Sequence, residues 1–90
     1  MPVTSEHPMK RPGLQVRMLQ DGCAVLDGDA EVVHVLNPSA AFVFLHCDGR
    51  HSRSEIASLL AEAVPALDAE RAARDVDDGL RTLRDKQLLQ

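Results

Sequence analysis

One stretch, Val32 to Gly49 (VVHVLNPSAAFVFLHCDG), constrains the fold more than any other. It reads as a strand running directly into a buried helix. Val32, Val33, Val35 and Leu36 are apolar and mostly β-branched, which suits a pleated, packed surface. Asn37 stands where a helix N-cap belongs, and Pro38 follows at the first helical position, where a missing N–H costs nothing. Ala40 to Leu45 are all apolar, so the rest of the chain is expected to wrap this helix. Asp48-Gly49 closes it, because glycine takes the left-handed conformation that ends helices. The stretch therefore joins a sheet layer to a helical layer.

The sheet lies on its N-terminal side. Leu14 to Met18 alternates apolar and polar, the pattern of a half-buried strand, and Cys23 to Leu26 is a short apolar run. Asp21-Gly22 and Asp27-Gly28 are turn dipeptides between apolar runs, which favours tight hairpins and a three-stranded antiparallel meander, with the length of the second loop left open by the residues from Asp27 to Ala30. The first and third strands are then edges with unpaired backbone groups. On the C-terminal side, Ser52 and Glu55 form a capping box, and Ile56, Leu59, Leu60, Ala63 and Val64 follow at helical spacing until Pro65. Asp68 can cap a third helix with apolar positions Ala69, Ala72, Ala73, Val76, Leu80 and Leu83, and Leu88-Leu89 is expected to fold back onto the core. The order is β-β-β-α-α-α, an α+β winged helix-turn-helix with a three-stranded antiparallel sheet followed by a three-helix bundle.

Ninety residues fit one domain with a modest core, and its aromatic content is confined to Phe42 and Phe44. The net charge of −4 argues against a nucleic-acid partner, which needs a concentrated basic face. Cys23 and Cys47 match no metal or redox spacing and read as buried, reduced thiols. No apolar run reaches the ~18 residues of a membrane span, and the proline-bearing N-terminus lacks a signal-peptide core. The expectation is a cytoplasmic protein without a membrane partner. His34, His46 and His51 could be set beside Cys47 as metal ligands, but adjacent His46 and Cys47 would point about 100° apart on a helix. There is no nucleophile elbow, phosphate loop or paired-carboxylate motif, so no metal, cofactor or catalytic residue is expected.

Leu36-Asn37-Pro38-Ser39-Ala40-Ala41, Cys47-Asp48-Gly49, Glu55-Ile56-Ala57 with Leu60, and Asp75-Val76, Leu80, Leu83 and Leu88-Leu89 form an ordered set. It resembles the PqqD-like proteins, or RiPP recognition elements, from about Leu14 to the C-terminus. The resemblance implies a winged helix that binds the leader of a ribosomally made precursor peptide as an added strand. The leader would lie on the third strand, in a groove against the third helix. A separate modifying enzyme, such as a radical-SAM protein, would act on the presented peptide, in pyrroloquinoline quinone, lasso-peptide or related biosynthesis. Residues 1–13 would be a flexible N-terminal arm and residues 14–90 the PqqD-like peptide-binding domain. The chain departs from the family pattern at Gln87, where glycine is frequent, at Gly79 inside a helix, and near His34, where an aromatic is often found.

An exposed strand edge can pair with any extended peptide, while pockets for alternate side chains supply selectivity. If Val32 and Leu36 face the core, Glu31, Val33 and Val35 face away. On the third helix, Ala73, Val76, Leu80 and Leu83 form an inward stripe, beside the smaller stripe of Ala72, Asp75, Gly79 and Thr82. The candidate peptide-binding residues are Glu31, Val32, Val33, His34, Val35, Ala72, Asp75, Val76, Gly79 and Thr82. Asp75 or Asp78 could pair with a basic leader residue, or simply belong to a solvated charged face. The rival function is a DNA-binding winged-helix regulator; a third is a structural subunit of an enzyme. Pairing of exposed edges between two copies would give a homodimer.

Overall fold

The computed structural model of the protein describes residues 7–90. Three strands, β1 (Leu14–Leu19), β2 (Gly22–Asp27) and β3 (Val32–Leu36), precede three helices, α1 (Pro38–Leu45), α2 (Arg53–Ala63) and α3 (Ala69–Asp85). The sheet is an antiparallel meander in the order β1-β2-β3. The three-strand, three-helix winged arrangement is the one expected from the sequence. None of the helices among the described residues is long and apolar enough to cross a membrane.

The first hairpin turns on Gln20-Asp21, since Leu19 pairs with Gly22. This corrects the placement of Asp21-Gly22 at the turn centre. Gly22 belongs to β2 with φ 131°, and a Cβ there would sit 1.9 Å from the Leu36 carbonyl oxygen. Close approach of the end of β3 therefore demands this glycine. The second connection is four residues, 28–31, and Glu31 takes the left-handed conformation with φ 57° just before β3.

Each helix begins on the cap read from the sequence. Asn37 Oδ1 accepts the Ala40 N–H at 2.8 Å, Ser52 and Glu55 complete a capping box, and Asp68 Oδ1 accepts the Arg71 N–H at 2.8 Å. α1 packs against β2, β3 and α3, and α2 packs against α3. The core joins Val25 and Leu36 from the sheet to Val43, Phe44, Ile56, Leu60, Val76, Leu80 and Leu83 from the helices. The phase of α3 differs from the expected inward stripe at Ala72, Ala73 and Gly79, the last of which is buried although the sequence pattern assigns it to the neighbouring stripe. Ala72 is fully buried and Ala73 exposed, because Ala72 continues the ridge of Val76, Gly79, Leu80 and Leu83 that faces α1 and α2.

The two ends of the described chain meet beside α1. Lys10 N–H donates to the Cys47 carbonyl at 2.8 Å, Arg11 N–H to Leu88 at 3.0 Å, and Gln90 N–H to Met9 at 2.9 Å. Residues 8–11 are thus docked by backbone bonds, where the sequence suggests a loose arm. Single bonds to distant segments leave no periodic pattern to read, which is why the sequence gives no sign of the docking. Residues 1–6 of that arm lie outside the described residues. Leu88 is fully buried, as expected, and Leu89 packs partly against the core. α3 ends in a Schellman motif: Leu88 N–H donates to Leu83 C=O, Gln87 N–H to Arg84 C=O, and Gln87 carries φ 60°. The frequent family glycine at this position has a backbone reason, which Gln87 meets at a conformational cost.

Candidate functional site

β3 is an edge strand, and its backbone directions follow from the hairpin. A two-residue connection closes on a hydrogen-bonded pair, here Leu19 and Gly22. Gly22, Ala24 and Leu26 then bond to β1, so Cys23, Val25 and Asp27 bond to β3. Their partners are Leu36, His34 and Val32. Val33 and Val35 are left with N–H and C=O turned towards the open edge. Their side chains lie on the sheet face away from the core, 58% and 67% exposed. His34 and Leu36 turn inward, half-buried and buried. Val32 shares their face but is 40% exposed, because the helical layer does not extend over the β2–β3 loop end of the strand.

Beside the end of this edge a groove of about 270 Å³ opens between β3, the start of α1 and α3. Val35 and Leu36 form its strand side, Asn37, Ser39 and Ala40 its α1 side, and Asp75, Asp78, Gly79 and Thr82 its α3 side. Four of the residues singled out from sequence, Val35, Asp75, Gly79 and Thr82, meet here. Glu31, Val32, Val33 and His34 lie along the strand before it. Ala72 and Val76 are fully buried and sit behind the groove in the core. Leu36, Asn37, Ser39 and Ala40 line it as well, although the sequence reading does not place them among the candidates, and Asp78, named there only as an alternative partner for a basic leader residue, lines it too. The signal for those four lies in the Leu36-to-Ala41 motif, which the sequence reading uses for strand-to-helix geometry and for the family resemblance and not for peptide contact.

Gly79 serves the groove indirectly. A Cβ on Gly79 would lie 3.1 Å from Val43 Cγ2, so its small size lets α3 approach α1. That close packing, rather than space for an incoming chain, accounts for glycine in mid-helix. The charges on α3 are unevenly used. Arg53 from α2 pairs with Asp77 at 3.0 Å, and Arg81 reaches Asp78 at 3.6 Å with both side chains well exposed. Asp75 is half-buried and has no ion-pair partner among the described residues.

At the far end of β3, Asp27 organises the loop. Its carboxylate accepts the Ala30 N–H and pairs with Arg11, which holds its pKa below the ordinary aspartate value, the Ala30 bond contributing most. His46, His51 and Cys47 are engaged locally. His46 Nδ1 lies 2.8 Å from the Phe42 carbonyl and His51 Nδ1 3.0 Å from Asp48 Oδ1. The buried Cys47 thiol donates to Val43 C=O at 3.1 Å, and burial pushes its pKa up to about 12. Among the described residues no three His, Cys, Asp or Glu side chains converge as a metal site.

The sequence model of the family described as "Coenzyme PQQ synthesis protein D (PqqD)" matches residues 22–89, from the first residue of β2 almost to the C-terminus. The chain belongs to the PqqD family. No curated protein sequence matches it. Among solved structures, the fold is similar to TbiB1 in complex with the TbiA(beta) leader peptide, with TM-score 0.76 and 18% identity over 91% of this chain and 94% of that one. Lasso peptide synthetase B1, complexed with its leader peptide, has TM-score 0.76 and 21% identity over 93% and 98%. The PqqD part of Methylobacterium extorquens PqqCD, described as a functional, stand-alone RiPP recognition element, has TM-score 0.73 and 24% identity over 92% and 87%. At these identities the likeness is one of fold.

Proposed function

We propose that this PqqD-family protein binds the leader of a ribosomally synthesised precursor peptide by strand addition to β3, and presents the peptide to a separate modifying enzyme. The observation that carries the reading is the pairing of an open strand edge, at Val33 and Val35, with a groove against α3. The edge supplies backbone donors and acceptors to any extended chain, and the groove discriminates among side chains. Two of the structural relatives were solved with leader peptides bound, which supports the same use of this fold here. The protein would act as a chaperone without chemistry of its own. The enzyme it serves would be a peptide-modifying one, such as a radical-SAM protein, and its setting the cytoplasm.

The DNA-binding reading finds less support. The arginines of α3 are interleaved with Asp75, Asp77, Asp78 and Asp85, and Arg53 and Arg81 are engaged with Asp77 and Asp78. An amide NMR titration with the leader of a short peptide encoded beside the gene tests the proposal. Saturable shifts at Val33–Leu36 and Asp75–Thr82 are expected. Unchanged spectra with that peptide, and saturable salt-sensitive shifts with duplex DNA, would replace leader binding by the rival function.

A further inference from the structure

We infer that the β3–α3 groove selects an extended peptide carrying a lysine or arginine placed to reach Asp75 and Asp78. The inference rests on the leader-binding reading and adds the chemistry of the recognised segment. A peptide strand laid along β3 directs alternate side chains to the same side. On the α3 side, those side chains would meet the backbone at Val35 and the small apolar surface of Ala40, then the two carboxylates. Among the described residues the groove has no cation in its lining: its other polar residues are Asn37, Ser39 and Thr82, and the Asn37 oxygen already caps α1.

The cations nearby do not occupy these carboxylates. Arg71 and Arg74 precede Asp75 and Asp78 by one helical turn, the weaker order for an i,i+4 pair, and neither pair forms a salt bridge. Arg53 is committed to Asp77, on the side of α3 that faces α2. Among the described residues, Asp78 has only the exposed 3.6 Å contact with Arg81, and Asp75 none. A cationic side chain entering the groove would therefore find one half-buried carboxylate free and a second weakly held.

Selection of a displayed library of random extended dodecapeptides on the full chain tests this directly, since it does not require the sequence of the leader. Peptides enriched on the natural protein should share a Lys or Arg at a fixed distance from an apolar residue. The enrichment should vanish on the D75N/D78N double variant and persist on D77N, whose carboxylate faces α2. For an enriched peptide, replacing the basic residue with Gln should weaken Kd about fivefold on the natural chain and leave it unchanged on D75N/D78N. Enriched peptides without a basic residue, or equal enrichment on D75N/D78N, would overturn the inference while leaving strand addition standing. Failure of any peptide to enrich on a protein with a dispersed amide spectrum would overturn leader binding itself, and this inference with it.

Discussion

The two edges of the sheet expose similar amounts of apolar surface and have different surroundings. On β1 every residue after Leu14 is exposed, with Met18 at 63%; on β3, Val35 is 67% exposed. Both edges offer unpaired backbone groups, at Leu14, Val16 and Met18 on one side and at Val33 and Val35 on the other, following the hairpin pairing. Only β3 ends beside a helical wall. α3 and the start of α1 complete a groove there, whereas the depression on the β1 side is a patch of the sheet's own face, lined by Gln15, Val16, Arg17, Ala24, Leu26 and Val33. The family match begins at Gly22, so β1 lies outside it. An open edge supplies affinity for extended chains in general; a wall beside it supplies the means to choose among them.

The sharpest way to break this comparison is to place proline on each edge. Val35→Pro and Val16→Pro each remove an outward-facing N–H without cutting a bond inside the sheet, a position where strands tolerate proline. The β3 variant should bind the leader at least about tenfold more weakly, the size of one lost hydrogen bond with its unsatisfied partner, and the β1 variant should bind normally. Fluorescence anisotropy with labelled leader measures both, and dispersed amide spectra show that both fold. Normal binding by folded V35P would exclude β3 as the docking edge.

A second contrast lies on neighbouring strands. Val25 of β2 is fully buried, while Val33 of β3 is 58% exposed. Val25→Ala should cost roughly 2 kcal/mol in urea denaturation, through lost burial and an incompletely collapsed cavity. Val33→Ala should stay within about 0.5 kcal/mol and weaken leader binding instead. Equal costs to stability would mean that the outer face of β3 is more tightly packed than its exposure indicates.

Much of this arrangement is legible in the sequence. The strand-to-helix run from Val32, with Asn37 and Pro38 at its hinge, and the Ser52 and Asp68 caps are local signals written in local residue types. What escapes depends on distance. Whether Ala72 or Ala73 is buried is decided by where α1 and α2 lie, because both alanines satisfy a helical apolar pattern equally. Gly22 reads as a turn residue, but the Leu36 carbonyl packed against it is the reason for glycine. The docking of residues 8–11 and the groove side formed by Ser39 and Ala40 arise only when distant segments meet. The Gln87 departure is visible in the sequence, and its left-handed backbone gives it a physical meaning.

That meaning yields a control remote from both edges. Gln87→Gly should raise stability by about 0.5–1 kcal/mol, since glycine relieves the left-handed strain but loses more entropy on folding. Leader affinity should be unchanged. A drop in stability would show that the Gln87 side chain makes a contact outweighing the strain.

The smallest expected effect is a pH dependence at the opposite end of α1 from the groove. Asp48 accepts the Arg50 N–H at 2.9 Å and meets His51 Nδ1 at 3.0 Å, and its pKa is lowered from 3.8 to about 2, the Arg50 bond contributing most. A carboxyl whose folded pKa lies below its unfolded value stabilises the fold above about pH 4, and that contribution is lost as pH falls towards 2. Asp27 and Glu55, also lowered, act in the same direction. The urea midpoint of the natural protein should therefore decline from about pH 4 downward, and D48N should decline less steeply. The side chain is exposed, so solvent screens the effect. Asp48 touches neither edge, and D48N should bind the leader normally at neutral pH. Asp27 also bonds the loop that delivers β3, through the Ala30 N–H and Arg11. D27N should both flatten the acid dependence and weaken binding. If D27N binds as tightly as D48N, the loop that leads into β3 holds its position without that carboxylate, and the docking edge is set by its pairing with β2 alone.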